Sequence, residues 1–126
     1  MSAGRQTGLL WAAAALALVL AAPLAAALAP GLPECFFKST FGVPCPTCGG
    51  TRAVVALAQL HGALAFRSNP LVTLGLISFV LGGLVAGSLA VLGRGLREPA
   101  RYPVWLRVSL VCLIAANWAW LVADGR

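Results

Sequence analysis

Three long apolar runs decide what this chain can fold into. They extend from Leu9 to Ala29, from Leu71 to Leu92 and from Val104 to Ala123. Each is close to the ~20 residues that an α-helix needs to cross the ~30 Å hydrocarbon core of a bilayer. The second run has no charged residue, and the third has only Arg107, near enough to its start to reach back to the headgroups. With 60% of its 126 residues hydrophobic and 10% charged, a single soluble domain could not bury so much apolar surface. The expectation is an all-α integral membrane protein of one domain, with three transmembrane helices and the lipid bilayer as its main partner.

The runs also carry packing signals. In the first, Ala13, Ala17, Ala21 and Ala25 repeat every four residues, a small-residue stripe along which another helix could approach, and Pro23 could kink the far end. In the second, Gly83 and Gly87 form a Gly-x-x-x-Gly pair that Ser78 and Gly82 extend, read first as packing within the molecule. In the third, Trp118 and Trp120 suit a headgroup belt and Trp105 the opposite one. A cleavable signal peptide competes with the first helix, because Arg5 precedes it and small residues lie near Ala25 to Ala29. The run exceeds the roughly 7–15 residues of a signal core, so a retained anchor is expected.

Pro30-Gly31-Leu32-Pro33 ends the first helix, and residues 30–69 form a loop too long to be mere connection. Within it, residues 52–67 lack proline and place Leu57, Leu60 and Leu64 on one helical face, with Arg52, Gln59 and Ala63 on the other. This predicts one amphipathic interfacial helix of about four turns, too short to span, with Gly62 as a weak point. Asn69 as N-cap and Pro70 at the first helical position then open the second spanning helix.

The net charge of +6 comes from eight arginines and Lys38 against three acids. The cations sit at the ends of the apolar runs, the topogenic arrangement, and not in a stripe with interleaved aromatics, so nucleic acid is not an expected partner. Three spans put Arg5, Arg94, Arg97, Arg101 and Arg107 on one side and Lys38, Arg52, Arg67 and Arg126 on the other. Four of the first set cluster in and beside the short loop of residues 93–103, where the positive-inside rule is strongest. The N-terminus is therefore expected inside a bacterial cytoplasmic membrane and the cysteine loop outside it; arginine and alanine usage suggests the bacterial source.

Chemistry concentrates in Val43-Pro44-Cys45-Pro46-Thr47-Cys48-Gly49-Gly50-Thr51-Arg52, with Cys35 upstream. Cys112, inside the third run, reads as a buried small apolar residue. Three chemistries fit the other thiols. A disulfide from Cys35 to Cys45 or Cys48 would staple the loop, contributing about 2–3 kcal/mol. Thiol exchange would use Cys45 near a helix N-cap as the attacking thiolate and Cys48 as its resolving partner, with Arg52 one turn on from Cys48 and Cys35 as a shuttle. Against this, Gly49-Gly50 costs up to ~2 kcal/mol of helix propensity relative to alanine. Finally, Cys-Pro-x-Cys-Gly resembles the knuckle of zinc ribbons and rubredoxins, and Cys35 with His61 would have to complete a zinc site. Thr51 and Arg52 read as helix start and headgroup contact at least as readily as they read as catalytic residues.

At these residues the chain resembles the family of small bacterial membrane proteins catalogued as domain of unknown function 2752. The resemblance rests on Cys35, on residues 42–53 around the two-cysteine turn, on His61-Gly62 and on Asn69-Pro70-Leu71. It implies the same architecture, with a spanning helix after Asn69-Pro70, and picks out Thr51, Arg52, His61, Asn69 and Pro70 beside the cysteines. The family often has an acidic residue where this chain has Ala63, and a larger apolar residue at Gly50. It supplies no reaction.

No nucleotide-binding motif, paired carboxylates or Ser/His/Asp set is present in the sequence. The leading expectation is a non-enzymatic accessory or partner-binding subunit without a cofactor, recognised through a cysteine-stapled loop outside the membrane. The alternatives are a membrane thiol-disulfide oxidoreductase using Cys45 and Cys48, and a zinc or other metal site on Cys35, Cys45, Cys48 and His61.

Overall fold

The computed structural model describes residues 2–31, 35–97 and 101–125, and among these the chain is helical with no strand. Its helices are α1 (Ala3–Leu28), α2 (Phe36–Phe41), α3 (Gly50–Ala58), α4 (Gly62–Ser68), α5 (Pro70–Val91) and α6 (Val104–Ala123). Three of them, α1, α5 and α6, are long and apolar enough to cross a membrane. At 1.5 Å per residue they measure roughly 39, 33 and 30 Å. The α1 helix begins six residues before the apolar run and continues through Pro23. It gives way to a 3₁₀ turn at Ala29–Gly31, the described part of the expected break. Leu32 and Pro33 of that break, and Arg126 of the charge count, lie outside the described residues.

The chain divides into two compact units, Met1–Ala21 with Gly75–Arg101 and Ala22–Leu74 with Tyr102–Arg126. In the first, α1 and α5 meet through small residues. A Cβ placed on Gly83 would lie 2.7 Å from the Ala15 Cβ, and one on Gly87 would lie 2.6 Å from the Ala12 Cβ. Only glycine lets the helices come this close, and in lipid such close packing, not hydrophobic burial, drives helix association. The indole of Trp11 donates to the Phe79 carbonyl at 3.1 Å and stacks at a tilt on the Phe79 ring. The glycine pair thus packs inside the molecule, as expected. The stripe of α1 that receives it is Gly8, Trp11, Ala12 and Ala15, whereas Ala13, Ala17, Ala21 and Ala25 are exposed, as is Ser78. A four-residue repeat is satisfied by several faces of an alanine-rich helix; Trp11, which holds the neighbour, selects among them.

The second unit corrects the expected interfacial helix. Two short helices replace the single one over residues 52–67, because the chain reverses at Leu60, whose φ is +60°. The Leu60 amide bonds to the Leu57 carbonyl at 3.0 Å and the His61 amide to Ala56 at 2.8 Å, the paired closure of a Schellman cap. A leucine in the left-handed region costs roughly 1–2 kcal/mol, and glycine is usual there. The inner faces of α3 and α4 pack through Ala53, Ala56 and Ala65, with Leu57 and Val72 against them, while Leu60 and Leu64 point outward. On α6, Cys112 is exposed and not buried, among the apolar residues that would meet lipid.

The start of α5 is as expected. The Asn69 side-chain oxygen accepts the Val72 amide at 3.1 Å, and Pro70, which has no N–H to satisfy, takes the first helical position.

Candidate functional site

The site is a backbone turn before it is a set of side chains. Pro44, with its fixed φ, leads into Cys45, whose carbonyl accepts the Cys48 amide at 2.9 Å. Thr47 O then accepts Gly50 N at 2.8 Å, and Gly49 turns the chain at φ +79° into α3. The first helical residue is therefore Gly50. Cys45 is not at the helix N-cap, and Cys48 and Arg52 do not share a helical face; the two glycines, poor helix formers, place the boundary after the second thiol. Gly49 thus folds the chain back after the second thiol, and both thiols lie on the turn that precedes the helix.

Cys35 reaches the turn from the N-cap position of α2. Its Sγ lies 3.5 Å from that of Cys45, and the Sγ atoms of Cys35, Cys45 and Cys48 all lie within 4.8 Å of one another. The Thr47 hydroxyl is 3.3 Å from the Cys45 sulfur. All three thiols are free and half-buried. The Cys35 pKa is lowered to about 7, chiefly by the Lys38 backbone amide in the first turn of α2 and then by the Cys45 thiol. That of Cys48 is raised, by burial first and then by the charges that Cys35 and Cys45 would carry.

Two asparagines and a tryptophan hold the turn from behind. Asn69 is fully buried, and its side-chain amide donates to the carbonyls of Pro46 at 3.2 Å and Cys48 at 3.1 Å. Asn117, from α6, donates to Pro46 at 2.9 Å while its side-chain oxygen accepts the Leu71 amide at 3.0 Å. The Trp118 indole donates to the Pro44 carbonyl at 2.8 Å. The carbonyls on either side of Cys45, which a tight turn cannot pair internally, are thus each satisfied.

The sulfurs border a cavity of about 750 Å³ that is also lined by Lys38, Thr47, Thr51, Arg52 and Gln59. Among the described residues, Lys38 and Arg52 are its charged ones, and no described carboxylate lines it. Of the residues singled out in the sequence, Cys35, Cys45 and Cys48 converge, Thr51 and Arg52 join the same cavity, and Asn69 fixes the turn. His61 does not join them: it caps α4 from the exposed break after α3, and it is not among the residues whose ligating atoms cluster with the thiols. Asn117 and the inward role of Trp118 were not foreseen. A lone carboxamide in an apolar run was the available signal for the first.

No curated protein and no solved structure matches the chain. The α2 helix, the sulfur turn, α3, α4 and most of α5 lie within residues 35–83, which match the family described as Protein of unknown function (DUF2752), the family that the sequence resembles.

Proposed function

We propose that this is a metal-holding membrane protein in which the thiolates of Cys35, Cys45 and Cys48 bind one soft cation, Zn(II) or Cu(I). The observation that carries the reading is the mutual approach of the three Sγ atoms within 4.8 Å. Metal–sulfur bonds of about 2.3 Å in a tetrahedral set separate neighbouring sulfurs by about 3.8 Å, inside that limit. The donor set agrees in kind, since thiolates select Cu(I) and Zn(II) over harder cations. Three thiolates exceed the charge of either ion, and Lys38 and Arg52 in the same cavity supply compensating charge. Zinc would take water or a further donor in its fourth position.

The distribution of arginines supports placing the centre on the outer side of a bacterial cytoplasmic membrane, in one membrane domain. The accessory role expected from the sequence then becomes that of holding an ion for a membrane partner. Metal analysis of detergent-purified protein tests the reading. About one zinc or copper per chain is expected, lost in the Cys35→Ser/Cys45→Ser/Cys48→Ser variant. Equal metal in parent and variant would sink it.

The 3.5 Å contact between Cys35 and Cys45 favours a second reading, thiol-disulfide exchange. The Cys35 thiolate would attack a partner disulfide, releasing one partner thiolate. Cys45 would then displace the other, leaving a Cys35–Cys45 disulfide and a reduced partner dithiol. A Cys45→Ser variant would trap the mixed disulfide; failure to trap any in metal-free membranes removes this reading.

A further inference from the structure

Asn117 is one of two buried residues in α6, and it is only 7% exposed. A carboxamide in such a helix is costly to bury unless both its atoms find partners. Here both do, and the two partners belong to different parts of the chain. Its oxygen takes the Leu71 amide, one of the N–H groups that the first turn of α5 leaves unpaired. Its nitrogen donates to the carbonyl of Pro46, the residue that follows Cys45 in the sulfur turn. The same carbonyl accepts Asn69, so the turn is fixed by one amide from the start of α5 and one from α6.

We propose that Asn117 is a positioning residue for the sulfur centre: from α6 it sets the orientation of the Cys45–Cys48 turn through the Pro46 carbonyl. This rests on the reading of the three cysteines as a working centre. Helix packing alone would be served by the Leu71 bond; the Pro46 bond adds a constraint on the ligand turn itself. It is the kind of outer contact that holds metal ligands in place and whose loss typically weakens metal affinity about 10–100-fold.

The test separates the two bonds. Asn117→Asp keeps an acceptor for the Leu71 amide but removes the donor to Pro46, whereas Asn117→Leu removes both. Each variant and the parent are purified in detergent. They are compared by helical circular dichroism and melting, by zinc and copper affinity in competition with a chelator, and by the rate of Cys35–Cys45 oxidation with diamide in metal-free protein. Asn117→Asp is expected to keep the parent's helical circular dichroism, with a lowered melting temperature because a buried carboxylate then faces the Pro46 carbonyl, while its metal affinity falls at least about 10-fold and its oxidation rate shifts several-fold. Parent-like affinity and oxidation rate in that variant would overturn the assignment, as would loss of folding in both Asn117→Asp and Asn117→Leu, which would place the residue in the fold instead. If the parent itself binds no metal, the metal reading fails, and the oxidation rate alone still decides the role of Asn117.

Discussion

Gly49 sits so close to Ser68 that a Cβ built on it would lie 2.6 Å from the Ser68 carbonyl oxygen. One atom of side chain would thus push the sulfur turn off the end of α4. Gly49 also has a φ of +79°, which an L-residue adopts at a cost of roughly 1–2 kcal/mol. With the clash added, Gly49→Ala is expected to destabilise the second unit by about 2–4 kcal/mol. Gly62→Ala, with open space around it and no positive φ, should be tolerated. Denaturant titration in detergent, followed by tryptophan fluorescence, distinguishes the two; equal midpoints would contradict the packing described.

Asn69 combines two tasks that a single atom change separates. Asn69→Asp retains an oxygen to cap Val72 but replaces the two amide donations to Pro46 and Cys48 with a buried carboxylate facing carbonyls. Pro46 keeps its bond from Asn117, but the Cys48 carbonyl loses its side-chain donor at about 1–3 kcal/mol and the carboxylate is itself buried, so the total should exceed the ~1 kcal/mol lost with a cap alone. The expected signature is an α5 helix that stays formed by circular dichroism while Cys45 and Cys48 become faster to alkylate. Unchanged alkylation would separate Asn69 from the sulfur turn.

Cys112 provides the internal control. It is exposed on α6 and does not belong to the cluster of three sulfurs. Cys112→Ala should leave stability within about 0.5 kcal/mol of the parent, as is usual for a residue away from any special contact. Metal content and the oxidation rate of Cys35 with Cys45 should be equally unaffected. A loss of metal in this variant would place the binding elsewhere.

The spanning architecture was legible because it depends on length and apolarity alone, and α5 even declares its start in Asn69-Pro70. The convergence of Cys35 with Cys45 and Cys48 was foreseeable only as a possibility, since the spacing of ten residues fits a staple, a relay or a ligand set. What the sequence concealed were features in which tertiary contact overrides local preference. Leu57, Leu60 and Leu64 make a convincing helical face, yet the alanines are what let α3 and α4 approach, and Leu60 is spent on a left-handed reversal that favours glycine. Trp118 is a reasonable headgroup anchor by type, yet its N–H finds the Pro44 carbonyl 74 residues away. No periodicity encodes such a pairing.

The acidity of Cys35 gives a prediction in pH. Its pKa is lowered from 9.0 to about 7, so in the metal-free protein about half its thiolate is present near pH 7, whereas Cys48 is shifted in the opposite direction. Because the thiolate is the reactive form, iodoacetamide should modify Cys35 before Cys48, with a rate that rises through a midpoint near pH 7. The linked stability has a definite sign. A thiol whose folded pKa is depressed binds fewer protons in the native state than in the unfolded one between the two values. The Cys35 contribution to the stability of the metal-free protein should therefore grow as pH rises from about 7 to 9 and be lost as pH falls through 7, whereas the raised Cys48 pKa takes stability away as pH climbs above 9. Cys35→Ser removes the first of these dependences. Mass-spectrometric mapping of alkylated peptides across pH 5 to 9 reads the order directly, and modification of Cys48 ahead of Cys35 at pH ~7 would show that the Lys38 amide does not face the sulfur as described.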